Sequence, residues 1–346
     1  MAAWPQTPIH MWMHNACAQM LWIGDSALPV TASAYPRAPN TTYITSLRSG
    51  WFDYAAQESS EHRFISAALR LAGNFAKWMG LDRTVLVGNA PISTNIWTPQ
   101  QIAEIPAWCA SISQTYRSCF VAVRNVQPSK HRRLIQQLQS QGFVGIPARV
   151  VYEFDFRAPS TKKHAHLQRD KSALMRSGLQ VNVLDCITSV QSERLCHLYQ
   201  AIYLEKHSPL NAQYTPQFFH EMVTSNVMSC LALENADKTI VAFALLYTVD
   251  DTLTVPALGY DTATPIAGLY RLLFAAISQY AEKNTFLLNY SSGAGDFKRK
   301  RGGVPHMEYT LIRAPIYGYV FKNAWLAMIQ RFTHRMQVDD LIALGA

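Results

Sequence analysis

The sequence predicts a layered α/β protein of two domains, each with a mixed, mostly antiparallel sheet flanked by helices. Its length of 346 residues suits two domains of ordinary size. Hydrophobic residues make up 49% of the chain and charged residues 16%, which is enough apolar material for packed cores. A strand, a basic helix closed by glycine and a second strand follow one another twice, about half a chain apart. This repeated order is the pattern that a duplicated α/β unit would leave.

The repeated pattern is defined by residue type. β-branched and aromatic runs predict the strands, and a basic run that ends at glycine predicts each helix. The first copy consists of strand 119–126, helix 130–141 with Gly142, and strand 148–156. The second copy consists of strand 285–290, helical turn 296–301 with Gly302 and Gly303, and strand 307–313.

The second half has the clearer order of elements. The sequence predicts a helix over 192–207 with Ser192 as its N-cap, and another that starts at Thr215-Pro216. Three strands at 229–234, 239–249 and 252–260 follow, and then a long helix at 266–283. Antiparallel strands followed by a helical crossover predict a mixed sheet.

The predicted domain limits follow from these patterns. An N-terminal domain covers 1–157 and a C-terminal domain covers 179–346. The segment 158–178 between them is polar and basic, and we interpret it as a linker with a short helix that ends at Gly178.

Composition bounds the setting of the protein. The formal net charge of +8 suits an anionic partner or merely a basic surface. None of the six cysteines forms a C-x-x-C pair, so buried thiols are expected, and neither disulfides nor a zinc site. The N-terminus lacks the pattern of a secretory signal, and no stretch is apolar enough to span a membrane. The sequence therefore predicts a cytoplasmic protein.

Three segments of the second half carry the candidate chemistry. They are Gly259-Tyr260-Asp261, Gly268-Leu269-Tyr270-Arg271, and the run 289–309, NYSSGAGDFKRKRGGVPHMEY. Together they resemble the GNAT superfamily, and in particular its two-lobed Fem-type branch. Shared features are a G-x-D after a central strand, a small residue before a helix, and a small-residue loop followed by an aromatic-Lys pair, here Phe297-Lys298. The resemblance covers roughly 160–315 and is weak in the N-terminal half, which we interpret as a degenerate GNAT-like domain.

The resemblance implies a central sheet that opens to receive an acyl donor, with donor phosphates near the start of a helix. The donor-binding residues implied are Ala267, Gly268, Leu269, Arg271, Arg299 and Arg301. The usual coenzyme A loop, Q/R-x-x-G-x-G/A, is replaced here by TPIAGL, which puts the donor in question. Fem-type enzymes use aminoacyl-tRNA, so that donor is the alternative to acyl-coenzyme A.

Lys298, Asp261 and Tyr290 are the catalytic candidates. Lys298 would stabilise negative charge or handle a proton, unless it is an ordinary member of a basic cluster. Asp261 would act as a base or substrate anchor, although a turn aspartate fits equally well. Tyr290 would protonate the leaving group, and the alternative is a purely structural role. Substrate contacts are expected from Asn289, Ser291, Ser292 and Phe297. Glu308 is a weaker candidate for the base.

The function predicted is an N-acyltransferase that moves an acyl group from acyl-coenzyme A, or another thioester, to a small amine or peptide. The first alternative is a Fem-type aminoacyltransferase that depends on aminoacyl-tRNA. The second is a GNAT-fold binding module without catalysis. No tightly bound cofactor and no metal are expected. The sequence does not specify the acceptor, the acyl group or the oligomeric state.

Overall fold

A computed structural model describes residues 4–33, 40–157 and 164–343, with side chains up to residue 334. The helices are α1 (Ile9–Trp12), α2 (Tyr54–Glu58), α3 (Arg63–Trp78), α4 (Pro99–Thr115), α5 (Arg132–Ser140), α6 (Ala165–Arg176), α7 (Ser189–Gln200), α8 (Pro216–Thr224), α9 (Leu269–Lys283), α10 (Gly295–Arg299) and α11 (Tyr319–Ala343). The strands are β1 (Gln19–Ile23), β2 (Leu28–Ala32), β3 (Thr84–Val87), β4 (Phe120–Val126), β5 (Val144–Asp155), β6 (Gln180–Leu184), β7 (Ser229–Glu234), β8 (Ile240–Val249), β9 (Thr252–Thr254), β10 (Leu258–Tyr260), β11 (Leu287–Asn289) and β12 (Val304–Arg313). Ser49–Asp53 and Ala201–His207 are π-helical.

The twelve strands of the described residues form one sheet in the order β1-β2-β3-β4-β12-β5-β11-β9-β8-β7-β6, with β10 paired to β8. Two neighbouring pairs, β3 with β4 and β9 with β11, are parallel, and the other pairings are antiparallel. Each parallel pair is connected by a long helix, α4 or α9, as the crossover rule requires. The predicted fold class, a mixed and mostly antiparallel α/β architecture, is confirmed.

Both faces of the sheet's second half are covered, which explains the apolar strands there. Nine of the ten residues of β8 are buried, because α7 and α8 pack on one face and α6 and α9 on the other. Strands buried on both faces have apolar runs instead of alternation. The same holds for β4, whose seven residues are all buried. Arg124 and Asn125 are nonetheless among them.

The two halves of the chain interlock. Strand β12 lies between β4 and β5, so a strand from the C-terminal half completes the sheet of the N-terminal half. Trp12 of α1 packs in the core of the second half beside Phe218, whereas Trp325 of α11 packs in a core of the first half. The domain limits at 157 and 179 stay a prediction. Residues 158–163 of the predicted linker lie outside the described residues, and α6 follows them.

Three local expectations are corrected by the structure. The N-cap of α7 is Thr188, which forms a capping box with Gln191, and the predicted N-cap Ser192 lies inside the helix. The predicted strand 252–260 is two strands, since β9 ends at Thr254 and β10 begins at Leu258. Of the six cysteines, all without a disulfide, Cys186 is exposed. No helix among the described residues is long and apolar enough to cross a membrane.

Candidate functional site

The break in the predicted strand 252–260 opens the sheet. Thr252–Thr254 of β9 pairs in parallel with β11, and β10 then pairs with β8 alone. Pro256 lies in the break, and a proline there removes a backbone donor from the ladder. β10 turns towards α7, where a Cβ on Gly259 would lie 2.5 Å from the carbonyl carbon of Leu198. Only glycine allows β10 to lie this close to α7. In this position β10 does not pair with β11.

A cavity of about 620 Å³ lies at this gap between β10 and β11. Both halves of the chain line it: the first half contributes Trp51, Arg124 and Arg149, and the second contributes most of the aromatic wall. Eight tyrosines line the cavity, namely Tyr43, Tyr54, Tyr199, Tyr203, Tyr214, Tyr260, Tyr270 and Tyr290. Its size and its mainly aromatic walls with a few charged groups are typical of a small-molecule site.

Tyr290 follows β11 directly and lines the cavity. Its ring packs edge-on against Phe274 of α9, with ring centroids 4.9 Å apart, and the residue is 4% exposed. Burial, and then the neighbouring Tyr270, raise the pKa of Tyr290 well above 10.0, so the phenol stays protonated. Its hydroxyl is buried beside Tyr270, and no described atom meets full hydrogen-bond geometry with it. A ligand group that reached this hydroxyl would meet a neutral donor.

Lys298 is a buried basic residue that the second half places at the cavity. The residue is 2% exposed, and its Nζ donates to the carbonyl oxygens of Tyr290, Ser291 and Ser292 at 2.7, 3.1 and 2.8 Å. These three bonds use all three ammonium donors. Burial, and then the charge of Arg149, lower the pKa of Lys298 to about 7. In this arrangement Lys298 fixes the loop that carries Tyr290.

Arg149 joins the two halves at the cavity wall. Its Nε donates to Glu308 at 2.8 Å, its Nη1 to the Ser291 hydroxyl at 3.2 Å, and its Nη2 to the Thr94 hydroxyl at 2.8 Å. Glu308 also accepts from Asn125 at 2.9 Å. Burial raises the pKa of Glu308, but Arg149 and these hydrogen bonds outweigh it and leave the pKa below 4.5. Glu308 is therefore a carboxylate held in place, and a weak base.

Arg124 adds a positive charge that the cavity wall does not neutralise. The residue is 8% exposed, and its Nη1 donates to the Ile44 carbonyl at 2.6 Å and to the Asn89 side chain at 3.0 Å. No carboxylate among the described residues lies within 4.0 Å of Arg124. Burial, and then Arg149, lower its pKa to about 10, so the guanidinium remains charged near neutral pH. The cavity thus favours a ligand with negative charge.

The structure brings together four of the predicted site residues. Tyr290, Ser291, Ser292 and Lys298 all line the cavity. Asp261 does not line it. The Asp261 carboxylate pairs with Arg194 at 2.6 Å and accepts from the Ala263 amide, and its pKa is lowered mainly by Arg194. These contacts are those of a turn residue that anchors α7.

Other predicted residues have structural partners outside the cavity. Asn289 accepts from the Ser291 amide at 3.0 Å and lines a separate cavity of about 200 Å³. Phe297 packs against Tyr270 and Phe274. The remaining two are basic: Arg299 contacts Asp296 and the Tyr152 hydroxyl, and Arg301 forms a buried ion pair with Asp170 at 2.5 Å.

The start of α9 carries the predicted donor-binding group. Gly268 is the N-cap with φ of 74°, a conformation that favours glycine. Ala267, Gly268 and Arg271 are exposed, whereas Leu269 is buried. The Arg271 guanidinium lies about 3.0 Å from where a Cβ on Gly268 would be. Because Tyr270 of the same turn lines the cavity, the start of α9 adjoins it. The functional roles of all these residues stay predictions.

The first half's contribution was missed from the sequence. Arg124 and Asn125 interrupt the otherwise apolar run FVAVRNV, and that interruption was the available signal. Asn125 has φ of 60°, and β12 changes register with β4 and with β5 between Glu308 and Leu311. Such bulges redirect side chains, and here Asn125 and Glu308 reach the cavity.

No family model matches the sequence, and no curated protein matches it. Solved structures do match the fold. L-PGS from Bacillus licheniformis matches over 70% of this chain and 82% of its own, with a TM-score of 0.51 and 13% identity. The C-terminal domain assigned to a lysylphosphatidylglycerol synthetase of Agrobacterium fabrum matches over 66% of this chain and 77% of its own, with a TM-score of 0.50 and 16% identity.

FemX also matches, over 61% of this chain and 76% of its own, with a TM-score of 0.47 and 7% identity, and GNAT-fold acetyltransferases match at lower TM-scores. Proteins described as GNATs are thus among the structures that this fold resembles. At these identities the similarity shows the fold alone, and the activity must be argued from the site.

Proposed function

We propose that this protein is an acyltransferase that moves an acyl group from a thioester donor to an amine. The observation that carries the proposal is the divergence of β10 from β11 beside a cavity that holds the neutral Tyr290 hydroxyl. A carbonyl placed in the gap would meet the backbone edge of β10, which pairs only with β8 on its other side. Backbone amides of this kind stabilise the oxygen of a tetrahedral intermediate.

The donor would enter from the start of α9. A helix start favours phosphate groups, and Arg271 adds a charge there. Since Tyr270 lines the cavity one residue earlier, a carrier bound at this end would reach the gap with its acyl group. Arg271, Gly268 and Ala267 are therefore proposed as donor contacts, and Arg299 and Arg301 are not, because their partners are internal.

The chemistry requires one bond to form and one to break. The acceptor nitrogen bonds to the carbonyl carbon, the carbon–sulfur bond breaks, and the thiolate takes a proton from Tyr290. The proton that the nitrogen loses passes to the Tyr290 oxygen and restores the phenol, so the products are an amide and a free thiol. Lys298 acts as a positioning residue for Tyr290 in this scheme, since its three donors hold the loop 290–292.

The charge of the wall restricts the acceptor. Three basic residues, Arg124, Arg149 and Lys298, and two acidic residues, Glu58 and Glu308, line the cavity, so its charged lining is net positive when Lys298 is protonated. An amine that also carries a carboxylate, with an aromatic or aliphatic body for the tyrosine wall, would fit this arrangement.

Aminoacyl transfer from tRNA is the second candidate. One of the two structures reported above with TM-scores of at least 0.50 is described as a domain of a lysylphosphatidylglycerol synthetase, whose named product joins a lysyl group to a lipid. An ester carbonyl would occupy the same gap, and the formal charge of +8 would attract a nucleic acid.

The test is a donor screen by thermal shift and native mass spectrometry. Acyl-coenzyme A, coenzyme A, aminoacyl-tRNA and uncharged tRNA are compared on the full chain. Stabilisation by acyl-coenzyme A, with thiol release when a carboxylate-bearing amine is added, supports the proposal. Stabilisation by aminoacyl-tRNA alone supports the second candidate. If no donor binds, the protein is a non-catalytic binding module and the proposal is wrong.

A further inference from the structure

An exposed apolar surface covers two helices of the first half's outer layer, α3 and α11. Phe64, Leu71 and Trp78 of α3 are 94%, 69% and 73% exposed. Their spacing of seven residues places them on one face of the helix. The opposite face, at Ser66, Gly73 and Ala76, is the one that packs against the protein. Small side chains thus face the core and large apolar ones face outwards, which inverts the usual pattern.

Helix α11 continues this surface. Val320, Phe321 and Met328 are exposed, while Trp325 and Leu326 between them are buried. Phe75 of α3 contacts Trp325 with ring centroids 6.2 Å apart, so the two helices are neighbours. Ten large apolar side chains of the described residues are exposed on these helices and the turn before α11. A patch of this extent marks an interaction surface.

The charges beside the surface indicate what covers it. Arg63, Arg70 and Lys77 form an exposed row along the flank of α3, again at intervals of seven. The sequence of α3 contains no Asp or Glu, and α11 contains none up to residue 334. A second copy docked through the same face of α3 and the same 319–334 stretch of α11 would bring like charges together, whereas an anionic lipid surface would bring opposite charges. Basic amphipathic helices with Trp and Phe bind such surfaces.

We propose that α3 and α11 dock the protein on a membrane surface that contains anionic lipid. The apolar row enters the boundary between headgroups and acyl chains, and the basic row contacts lipid phosphates. This is attachment in the plane of the interface, and it needs no spanning segment. It does not depend on the proposed catalysis.

Co-sedimentation of the full chain with vesicles tests the proposal. The protein is expected to bind vesicles of equimolar phosphatidylglycerol and phosphatidylcholine, and to bind phosphatidylcholine alone much more weakly. Added salt should weaken the binding. The charge variant Arg63→Glu, Arg70→Glu, Lys77→Glu should weaken it at least about tenfold, since each basic residue near an anionic surface contributes on the order of a kilocalorie per mole.

An apolar variant, Leu71→Ser with Trp78→Ser and Phe321→Ser, should also lose binding at unchanged melting temperature, because these side chains are exposed. The matched control is Met175→Ser with Val190→Ser, which removes side chains 73% and 72% exposed on α6 and α7. The control should bind like the wild type. If the wild type does not bind the anionic vesicles, or if sedimentation velocity shows a dimer that only the apolar variant disrupts, the lipid proposal is wrong.

Discussion

Each of the two parallel strand pairs of the sheet is joined by a helical crossover, but the residues beyond the two pairs differ. β3 and β4 are joined by α4, and β9 and β11 are joined by α9. Beyond β3, the space beside the strands is filled by asparagine side chains. Asn95 donates to Asn89 at 3.1 Å and to Asn125 at 3.2 Å, and Asn89 donates to the Ile44 carbonyl. Beyond β9, the strands separate at a cavity.

This difference shows that topology alone does not create the site. In the first half, buried amides satisfy one another and hold the gap closed. In the second half, Pro256 ends the pairing, and the walls are mainly aromatic rings, Tyr290 among them. The first half instead supplies Arg124 and Arg149 from the edge of its closed unit to the open one.

Of these substitutions, replacing Lys298 should lower the stability of the protein most. Lys298→Met leaves three backbone carbonyls without a donor, and we expect the free energy of unfolding to fall by about 3 kcal/mol. Lys300→Met, an exposed residue two positions on, is the matched control and should change it little. Urea denaturation measures both. Equal effects of the two substitutions would show that the carbonyl contacts of Lys298 add nothing.

Removing the hydroxyl of Tyr290 should slow turnover. Tyr290→Phe keeps the packed ring and deletes the proton donor, so we expect kcat to fall at least roughly a hundredfold with donor binding retained. The control is Tyr280→Phe on α9, which does not line the cavity. Thiol release measures the rate with the donor that the screen identifies. An unchanged kcat would remove Tyr290 from the reaction.

Removing an asparagine from the hydrogen-bonded cluster of the first half should lower the stability of the protein without creating a second donor site. Asn95→Ala removes the side-chain bonds to Asn89 and Asn125 and leaves the buried Ala90 amide without its acceptor, so the free energy of unfolding should fall by about 2 kcal/mol. Donor stoichiometry by native mass spectrometry should stay as in the wild type. A second bound donor would contradict the assignment of a single open half.

Charge reversal at the start of α9 tests donor entry. Arg271→Glu should raise the donor's KM roughly tenfold, because a charge-assisted contact to phosphate is lost. Lys283→Glu, at the other end of the same helix, makes an equal change in net charge and should leave KM nearly unchanged. Steady-state kinetics distinguish the two, and equal shifts would mean that only overall charge matters.

The pH dependence of stability should carry a signature of Lys298. Its pKa is about 7 in the folded protein against 10.5 normally, so between these values the unfolded chain binds more protons. The free energy of unfolding of the wild type should therefore rise with pH across this window, relative to Lys298→Met. If the two proteins keep parallel profiles from pH 7 to 10, the amine is not perturbed by burial.

Sequence patterns located most of the second half. They predicted β7, β8 and α9 within a few residues because these elements have strong periodicity and clear turn residues. They also selected the loop 290–292 and Lys298, which line the cavity. They missed the break after β9, since Val255 to Ala257 lies in an apolar run and only Pro256 signals it.

Local sequence patterns could not predict which residues of the first half line the cavity. Arg149 meets Glu308 across 159 positions of sequence, and Arg124 meets Ile44 across 80. Such pairs depend on β12 lying between β4 and β5, which no local pattern indicates. Asp261 was selected for its place after a central strand, but its ion pair with Arg194 is another long-range contact.

Hydrogen exchange with and without donor tests the open gap most directly. Mass spectrometry on peptides from 255–260, 268–272 and 287–294 is compared with a peptide from 84–88, in β3, whose residues do not line the cavity. Our account predicts slower exchange in the first three regions when donor binds, and no change at 84–88. Protection at 84–88, or none on either side of the gap, would contradict it.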